Sequence, residues 1–235
     1  MAFSRGVILL YLALVLVVKL DFAYSKLSCI LIEKEALFDL KRGLIDKADR
    51  LSSWKGDNCC AWDGVGCDER TGHVIKLDLS NPVSFDSERY FDDKDYFANF
   101  SHNCLRGEIS PSLLNLNYLQ SLDLSMNNFS GIQIPPFLGS LKRLEYLNLS
   151  SAGFGGEVPQ DLSHLLSLKH LHLGYAPSVS YSFHLFINDY GLNVDSLSWL
   201  SQFSSLKSLD LSGIQLWKAN DWLDSVSMLT SLISL

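Results

Sequence analysis

Leucine recurs along this 235-residue chain at regular intervals. Leu119, Leu122 and Leu124 in "LQSLDLS" return as Leu144, Leu147 and Leu149 ("LEYLNLS"), as Leu168, Leu171 and Leu173 ("LKHLHLG"), and as Leu206, Leu209 and Leu211 ("LKSLDLS"). The steps are 25, 24 and 38 residues. A less regular copy, "VIKLDLS", occupies residues 74–80, and "LISL" at residues 232–235 opens another. Within each unit the last two leucines alternate with polar residues, the period of a strand with one buried face. A unit that returns about every 25 residues predicts stacked copies sharing one elongated core, with their strands forming a parallel sheet on the concave side.

The half-repeat after each strand supports this. "NFSGIQIPPFLGSL" (residues 128–141) and "GFGGEVPQDLSHL" (153–165) share the form xFxGxxPxxLxxL, the first with one extra residue before its proline, and "CLRGEISPSLLNL" (104–116) matches it with a one-residue shift. Glycine permits a tight turn off the strand, and proline limits the next residues to a short segment outside the ladder. The LxxLxL unit is the signature of a leucine-rich repeat. With its GxIP-type returns the chain resembles the plant-specific class of extracellular leucine-rich repeats from Cys29 onward. That resemblance implies an α/β leucine-rich-repeat solenoid with a parallel concave sheet and a disulfide-stapled N-terminal cap. The cap's counterparts are Cys29, the helical "EKEALFDLKRGL" (33–44), "RLSSW" (50–54) and "CCAWDGVGC" (59–67).

In the cap helix Ile32, Ala36, Leu37, Leu40 and Leu44 fall close to one face, with Glu33, Lys34, Asp39 and Lys41 elsewhere, so the first set is expected inside. Trp54 and Trp62 are expected in the cap core. The four cap cysteines allow three connectivities. A bond between the neighbours Cys59 and Cys60 would close a strained ring, and the resemblance pairs Cys29 with Cys59 and Cys60 with Cys67. Chain-entropy arithmetic assigns about 3.7 and about 2.5 kcal/mol to the two loops. The odd cysteine, Cys104, is expected to be buried and inert.

Residues 1–25 read as a secretory signal, with Arg5 before the twelve-residue apolar run "VILLYLALVLVV" (7–18) and "AYS" ahead of Lys26. That run covers about 18 Å as helix, short for a bilayer. The cap is then assigned to 26–72 and about five repeats to 73–235, the last incomplete, with insertions near 83–103 and 176–200. Both insertions carry aromatic and charged residues suited to decorated loops or to protein recognition. The formal charge of the whole chain is −7. Taking Arg5 and Lys19 from 19 basic residues and Asp21 from 26 acidic ones leaves 17 and 25, a charge of −8 for the mature part. An acidic chain without a basic patch argues against nucleic acid as a partner.

The outward positions of the predicted strands give a candidate ligand-binding face: Lys76, Asp78 and Ser80; Ser121, Asp123 and Ser125; Tyr146, Asn148 and Ser150; His170, His172 and Gly174; Ser208, Asp210 and Ser212. A polar, shallow face suits a protein or peptide rather than a small apolar ligand. His170 and His172 have the spacing of a metal pair, but no third donor is evident, so no metal is expected. They are read as solvated surface, with the further idea that they charge in mildly acidic fluid and tune binding. Asn99, Asn128 and Asn148 lie in N-x-[ST] sequons and are expected to be glycosylated at one or more positions, whereas Asn81 precedes Pro82. A glycan on Asn148 would stand on the binding face. No GxSxG, HExxH or P-loop is present, and the Asp92 and Asp93 pair implies no cleft, so neither an enzyme nor a cofactor is expected.

"EKEALFDLKRGL", "GHVIKLDLSNP", "GEISPSLLNLNYLQSLDLSMNNF" and the stretch from "LSWLSQF" to "SMLTSL" look like the corresponding regions of receptor-like proteins similar to the ethylene-inducing xylanase receptor. The resemblance implies a surface immune receptor that senses a microbial protein elicitor and signals through a partner receptor kinase. A membrane helix would lie beyond this sequence, which ends within an LxxLxL motif and is expected to be an N-terminal piece or a truncated gene product. The full-length parent would face outward from the plasma membrane, and a chain complete at Leu235 would be apoplastic. The competing expectation is a secreted inhibitor of microbial cell-wall-degrading enzymes, similar to polygalacturonase inhibitors, against which the long insertions argue.

Overall fold

The computed structural model of the chain describes residues 29–83, 93–175 and 191–235. The signal assigned to residues 1–25, Asp92, and the insertion segments 84–92 and 176–190 lie outside the described residues.

The cap opens with helix α1 (Leu31–Gly43) and the short strand β1 (Leu44–Ile45). Strands β2 (Val65–Cys67) and β3 (Val74–Asp78) then form a hairpin, antiparallel to each other. The pairing implied by resemblance is the one present, Cys29 with Cys59 and Cys60 with Cys67. Trp54 and Trp62 are buried and stacked, their ring centroids 5.5 Å apart, and both indole nitrogens are satisfied by carbonyls, of Asp63 at 2.8 Å and Lys55 at 2.9 Å.

The buried stripe of α1 differs from the expected one. Glu33 is 1 % exposed while Ile32 is 58 % exposed, so the inward set is Glu33, Ala36, Leu37 and Leu40. A carboxylate is tolerated there because its oxygens are both engaged. Oε1 meets Nδ1 of His73 and Oε2 accepts from the amide of Val74, each at 2.8 Å. Leu44 is inside as expected, but as part of β1.

Helix α2 (Lys94–Asn103) comes next, capped by Asp93, whose carboxylate accepts from the amides of Asp95 and Tyr96. The described part of the first insertion, from Asp93 on, is thus a capped helix rather than a loop. Tyr96 and Phe100 are buried in a small cluster with Cys104, because helical spacing of four puts both on one face over the thiol. Strand β4 (Arg106–Gly107) pairs antiparallel with β1 and ties the first repeat to the cap. Gly107 has φ 97, and a side chain there would meet the carbonyl of Gly43 at 2.3 Å, so this turn requires glycine.

The repeats proper contribute β5 (Ser121–Asp123), β6 (Tyr146–Asn148), β7 (Gly156–Glu157), β8 (His170–His172), β9 (Leu192–Asn193) and β10 (Ser208–Asp210), then the short helix α3 (Trp222–Ser227). The main sheet runs β10-β8-β6-β5-β3-β2, with every pair from β3 to β10 parallel. Short 3-10 segments at Pro111–Asn115, Pro136–Ser140, Gln160–His164 and Ser198–Gln202 return the chain along the opposite side. A smaller parallel pair, β7 with β9, bridges neighbouring repeats. Leu232 to Leu235 do open a further strand, since Ser234 bridges to Ser208.

One continuous core runs the length of the stack. The leucines of the motif stack in rows: Leu119, Leu144, Leu168 and Leu206; Leu122, Leu147, Leu171 and Leu209; Leu124, Leu149 and Leu173, none above 1 % exposed. Each is worth roughly 1.5 to 3 kcal/mol of transfer free energy. Phe129 and Phe154, the aromatics of the xFxG returns, stack at 4.8 Å. Within the stretch 176–200, Leu192, Val194, Leu197, Trp199 and Leu200 are core residues. Among the described residues no helix is long and apolar enough to cross a membrane.

Arg50 joins the cap to the repeats. Its guanidinium donates to the carbonyls of Leu79, Ser80 and Asn103 and to Oδ1 of Asn127, and burial lowers its pKa. Asn127 in turn donates to the carbonyls of Leu79, Leu124 and Ser125 and accepts from the amide of Leu105.

Candidate binding face

The one-to-one register of the parallel strands turns the predicted outward positions into two straight rows. One row is Lys76, Ser121, Tyr146, His170 and Ser208; the other is Asp78, Asp123, Asn148, His172 and Asp210. Each pleat separates the rows by two positions, so both point to the same side as long as the leucines between them stay buried.

The second row is fixed by a repeated local turn. The side-chain oxygen of Asp78, Asp123, Asn148 or Asp210 accepts from the backbone amide and the hydroxyl of the serine two residues on: Ser80, Ser125, Ser150 and Ser212 respectively. Such Asx turns are the chain's way of leaving the strand. The fourth strand departs from it, with His172 and Gly174 in place of the acceptor and the serine. A β-carbon on Gly174 would stand 2.3 Å from the carboxylate of Asp210, which reaches across from the next strand.

Polar contacts across the strands are dense at the cap end. Lys76 pairs with Asp78 at 3.1 Å. Burial opposes ionisation of Asp78, yet Ser80 and Lys76 outweigh it and hold the carboxyl below the ordinary carboxylate value. Asp123 Oδ2 accepts from the Tyr146 hydroxyl at 3.1 Å and from Asn148 Nδ2 at 3.0 Å, and Asn148 also donates to the Tyr146 oxygen at 3.2 Å. Burial and the neighbouring Asp123 raise the Tyr146 pKa, so its hydroxyl stays a donor. Beyond this triad Tyr146, His170 and His172 form an aromatic cluster with centroids 5.8 to 6.4 Å apart. His172 Nε2 lies 3.0 Å from the Ser208 hydroxyl. Burial, and the repulsion its charged form meets from His172, Lys207 and Lys169, keep His170 below the usual imidazole value.

A further row was not anticipated: Gln120, Glu145, Lys169 and Lys207, the residues after the first leucine of each motif. Glu145 and Lys169 are paired at 2.7 Å. Their backbone repeats from strand to strand, each carbonyl of Gln120, Glu145 and Lys169 accepting two amides of the next copy. The position x in LxxLxL was available as a signal, but a residue at strand entry has no set face until the neighbouring copy is docked. Also missed was a stack at the cap boundary. His73, held by Glu33, lies 3.7 Å from the ring of Tyr118, and the Arg143 guanidinium covers the other face of that ring at 4.3 Å.

His170 and His172 form no three-donor cluster with a carboxylate or thiol among the described residues, and the cysteines that lie close together, Cys29, Cys59 and Cys60, are oxidised. Cys104 is buried, with its pKa raised by burial. Its thiol donates to the carbonyl of Phe100 and receives Asn81 Nδ2, each at 3.4 Å. Of the sequon residues, Asn99 is exposed on α2 and Asn128 is half-buried, with its oxygen turned to Ser130. Asn148 has both side-chain atoms engaged on the face itself. The hollows are open: about 430 Å³ over Gly64, Val65, Gly66, Lys76 and Asp78 at the cap end, and about 550 Å³ on the 3-10 side at Lys142, His164 and Trp199. Neither is an enclosed apolar pocket of the kind that holds a small molecule.

Two family descriptions match the chain: "Leucine rich repeat N-terminal domain" over residues 32–68, and "Leucine Rich Repeat" over 118–141 and 143–165. Receptor-like protein EIX1 of Solanum lycopersicum is 41 % identical over 212 residues, covering 88 % of this chain and 18 % of that protein. Receptor-like protein EIX2 of the same species is 50 % identical over 136 residues, 57 % of this chain and 12 % of its own length. The chain thus spans less than a fifth of the length of these relatives. Among solved structures, a chain of the BIR3–SERK2 complex from Arabidopsis thaliana superposes with a TM-score of 0.56 at 31 % identity, covering 76 % of this chain and 80 % of that one. The BIR2 ectodomain from the same plant gives 0.57 at 26 %, with 77 % and 79 % covered.

Proposed function

Because the chain belongs to the plant leucine-rich-repeat receptor-like proteins, we propose that it forms the cap and first repeats of a ligand-recognition ectodomain that binds a microbial protein elicitor through its concave face. The observation that carries this reading is the pair of registered polar rows across five parallel strands, centred on Asp123, Tyr146 and Asn148. A rigid sheet holds these groups in place before any partner arrives, which lowers the entropy cost of binding. Tyrosine and histidine over a hydrogen-bonded floor suit a protein partner, where such side chains act as anchors.

The contacting residues in this reading are Lys76, Asp78, Ser121, Asp123, Tyr146, Asn148, His170, His172, Ser208 and Asp210. The protein acts by binding, without catalysis, from the outer face of the plasma membrane, and it signals through a partner receptor kinase. The similarity to a chain of the BIR3–SERK2 complex, in which one plant protein pairs with another, supports assembly with a second ectodomain. Glycans on Asn99 and Asn128 leave the concave face open.

The test is a binding measurement with secreted, glycosylated chain titrated against purified secreted microbial proteins, a fungal xylanase first. Tyr146→Ala and Asp123→Ala should each weaken binding at least about tenfold, as hot-spot truncations of about 1.4 kcal/mol or more do. Undiminished binding in both variants, with loss in variants of the 3-10 side such as Lys142→Ala, would sink the concave-face reading.

A further inference from the structure

Hydrogen-bonding capacity on the concave face is used up toward the cap and open on the last two strands. Asp78 is engaged by Lys76 and Ser80, Asp123 by Ser125, Tyr146 and Asn148, and Asn148 by Ser150 as well. On β8 and β10 the picture reverses. His170 and the ammonium of Lys207 have no hydrogen-bond or ion-pair partner among the described residues, and His172 uses one nitrogen, on Ser208. Lys207 is exposed, and His170 and Ser208 are half-exposed. The Tyr146 ring walls this area on the cap side, 6.0 Å from His170.

The charged neighbours of Lys207 and His170 on their own two strands are mixed, with Lys169 beside His170 and Asp210 in register with His172. His170 faces Lys169, Lys207 and His172; of the adjoining carboxylates Glu145 is ion-paired with Lys169, while Asp123 is held by the uncharged donors of Tyr146, Asn148 and Ser125, and Asp210 by those of Ser212. A chain with net charge −7 therefore gathers its unpaired donors, the Lys207 ammonium and the His170 ring, in one spot of this face.

We propose that Lys207, His170 and His172 form an anion-accepting subsite that takes a carboxylate of the bound protein or peptide ligand, with Tyr146 packing against the adjoining part of that ligand. The proposal rests on the concave-face reading and adds the chemistry of one contact. A carboxylate beside Lys207 gains a charge-assisted hydrogen bond, and a second from the imidazolium once His170 is protonated. Protonation also sets the sign of the pH dependence. Free His170 sits below the usual imidazole value, so it is largely neutral at pH 7; a bound anion favours its charged form and raises the midpoint, so binding at this spot strengthens as pH falls through that midpoint.

The experiment is proton–carbon NMR of the full chain labelled at histidine, titrated with sodium sulfate or sodium acetate against sodium chloride at equal ionic strength. Sulfate and acetate should move the His170 and His172 ring signals saturably and raise the His170 midpoint by about half a pH unit or more, while His164, on the 3-10 side, behaves as in chloride. Lys207→Gln, at an exposed position, should abolish the saturable response and raise the His170 midpoint without added anion, because a neighbouring cation is gone. Equal responses of His170 and His164 to all three salts, or a response untouched by Lys207→Gln, would overturn the subsite. Should that happen while Tyr146→Ala still weakens ligand binding, the subsite fails and the concave-face reading stands. Should the concave variants bind normally, that reading falls and the assignment of a ligand carboxylate falls with it.

Discussion

Replacing Arg50 tests whether one half-buried guanidinium couples the cap to the repeats. Its four acceptors are the carbonyls of Leu79, Ser80 and Asn103 and the side chain of Asn127, with the bonds to Asn103, Asn127 and Leu79 running from 2.8 to 3.0 Å. Arg50→Met keeps the aliphatic stem and deletes the donors. A charged hydrogen bond contributes about 1.5 to 3 kcal/mol and an orphaned buried acceptor costs about 1 to 3. Arg50 is only half-buried and water can reach part of the vacated site, so the sum is discounted to about 3 to 4 kcal/mol. At about 2 to 4 °C per kcal/mol for a chain of this size, melting should fall by roughly 10 °C. Arg50→Lys, which keeps the charge without the planar fork, should recover less than half of that. Calorimetry gives the midpoint, and fluorescence of the stacked Trp54 and Trp62 reports whether the cap is released first. A Met variant melting within about 1 °C of the parent would refute the argument that these bonds couple cap and repeats.

Three further outcomes are expected. Asp78 has a folded-state pKa below its ordinary value of 3.8, so its stabilising contribution is complete above that value and is lost as pH falls through the folded one; Asp78→Asn should flatten the acid limb of the stability curve, and an unchanged limb would contradict the assignment. Cys104, buried with a raised pKa, should resist a thiol reagent in the native chain and react stoichiometrically in denaturant, which a colorimetric thiol assay reads directly. Glycopeptide mass spectrometry should find Asn99 and Asn128 modified and Asn148 bare, since the Asn148 amide nitrogen is committed to Asp123 and Tyr146; full occupancy of Asn148 would remove that residue from the contact surface.

The architecture was legible because its signal is short-range and repeated. Leu122 and Leu124 are two residues apart on a strand, so the buried and outward faces follow from the pleat alone, and four copies of the motif make accidental spacing untenable. The outward positions were readable on the same ground, whereas the burial of the cap tryptophans and of Cys104 followed from their bulk and apolar character. The cysteine pairing was reached through resemblance to relatives, since the residues alone allow three arrangements.

Beyond the reach of the sequence were polar and aromatic positions whose state depends on a partner far along the chain. Glu33 has the composition of a surface residue and is buried because His73 and the Val74 amide, forty and forty-one residues on, satisfy both oxygens. Arg50 reads as one basic residue in "RLSSW" until residues 79, 80, 103 and 127 converge on it. Tyr96 and Phe100 looked like exposed loop aromatics, and the docking of α2 over Cys104 puts them inside. The sequence by itself determined which residues build the strands and which side of the sheet faces out, since that is dictated by a local period of two. Only the tertiary structure decided which outward groups neutralise one another and which are left free, because that balance is set by distances between neighbouring repeats, about 24 to 38 residues apart in the chain.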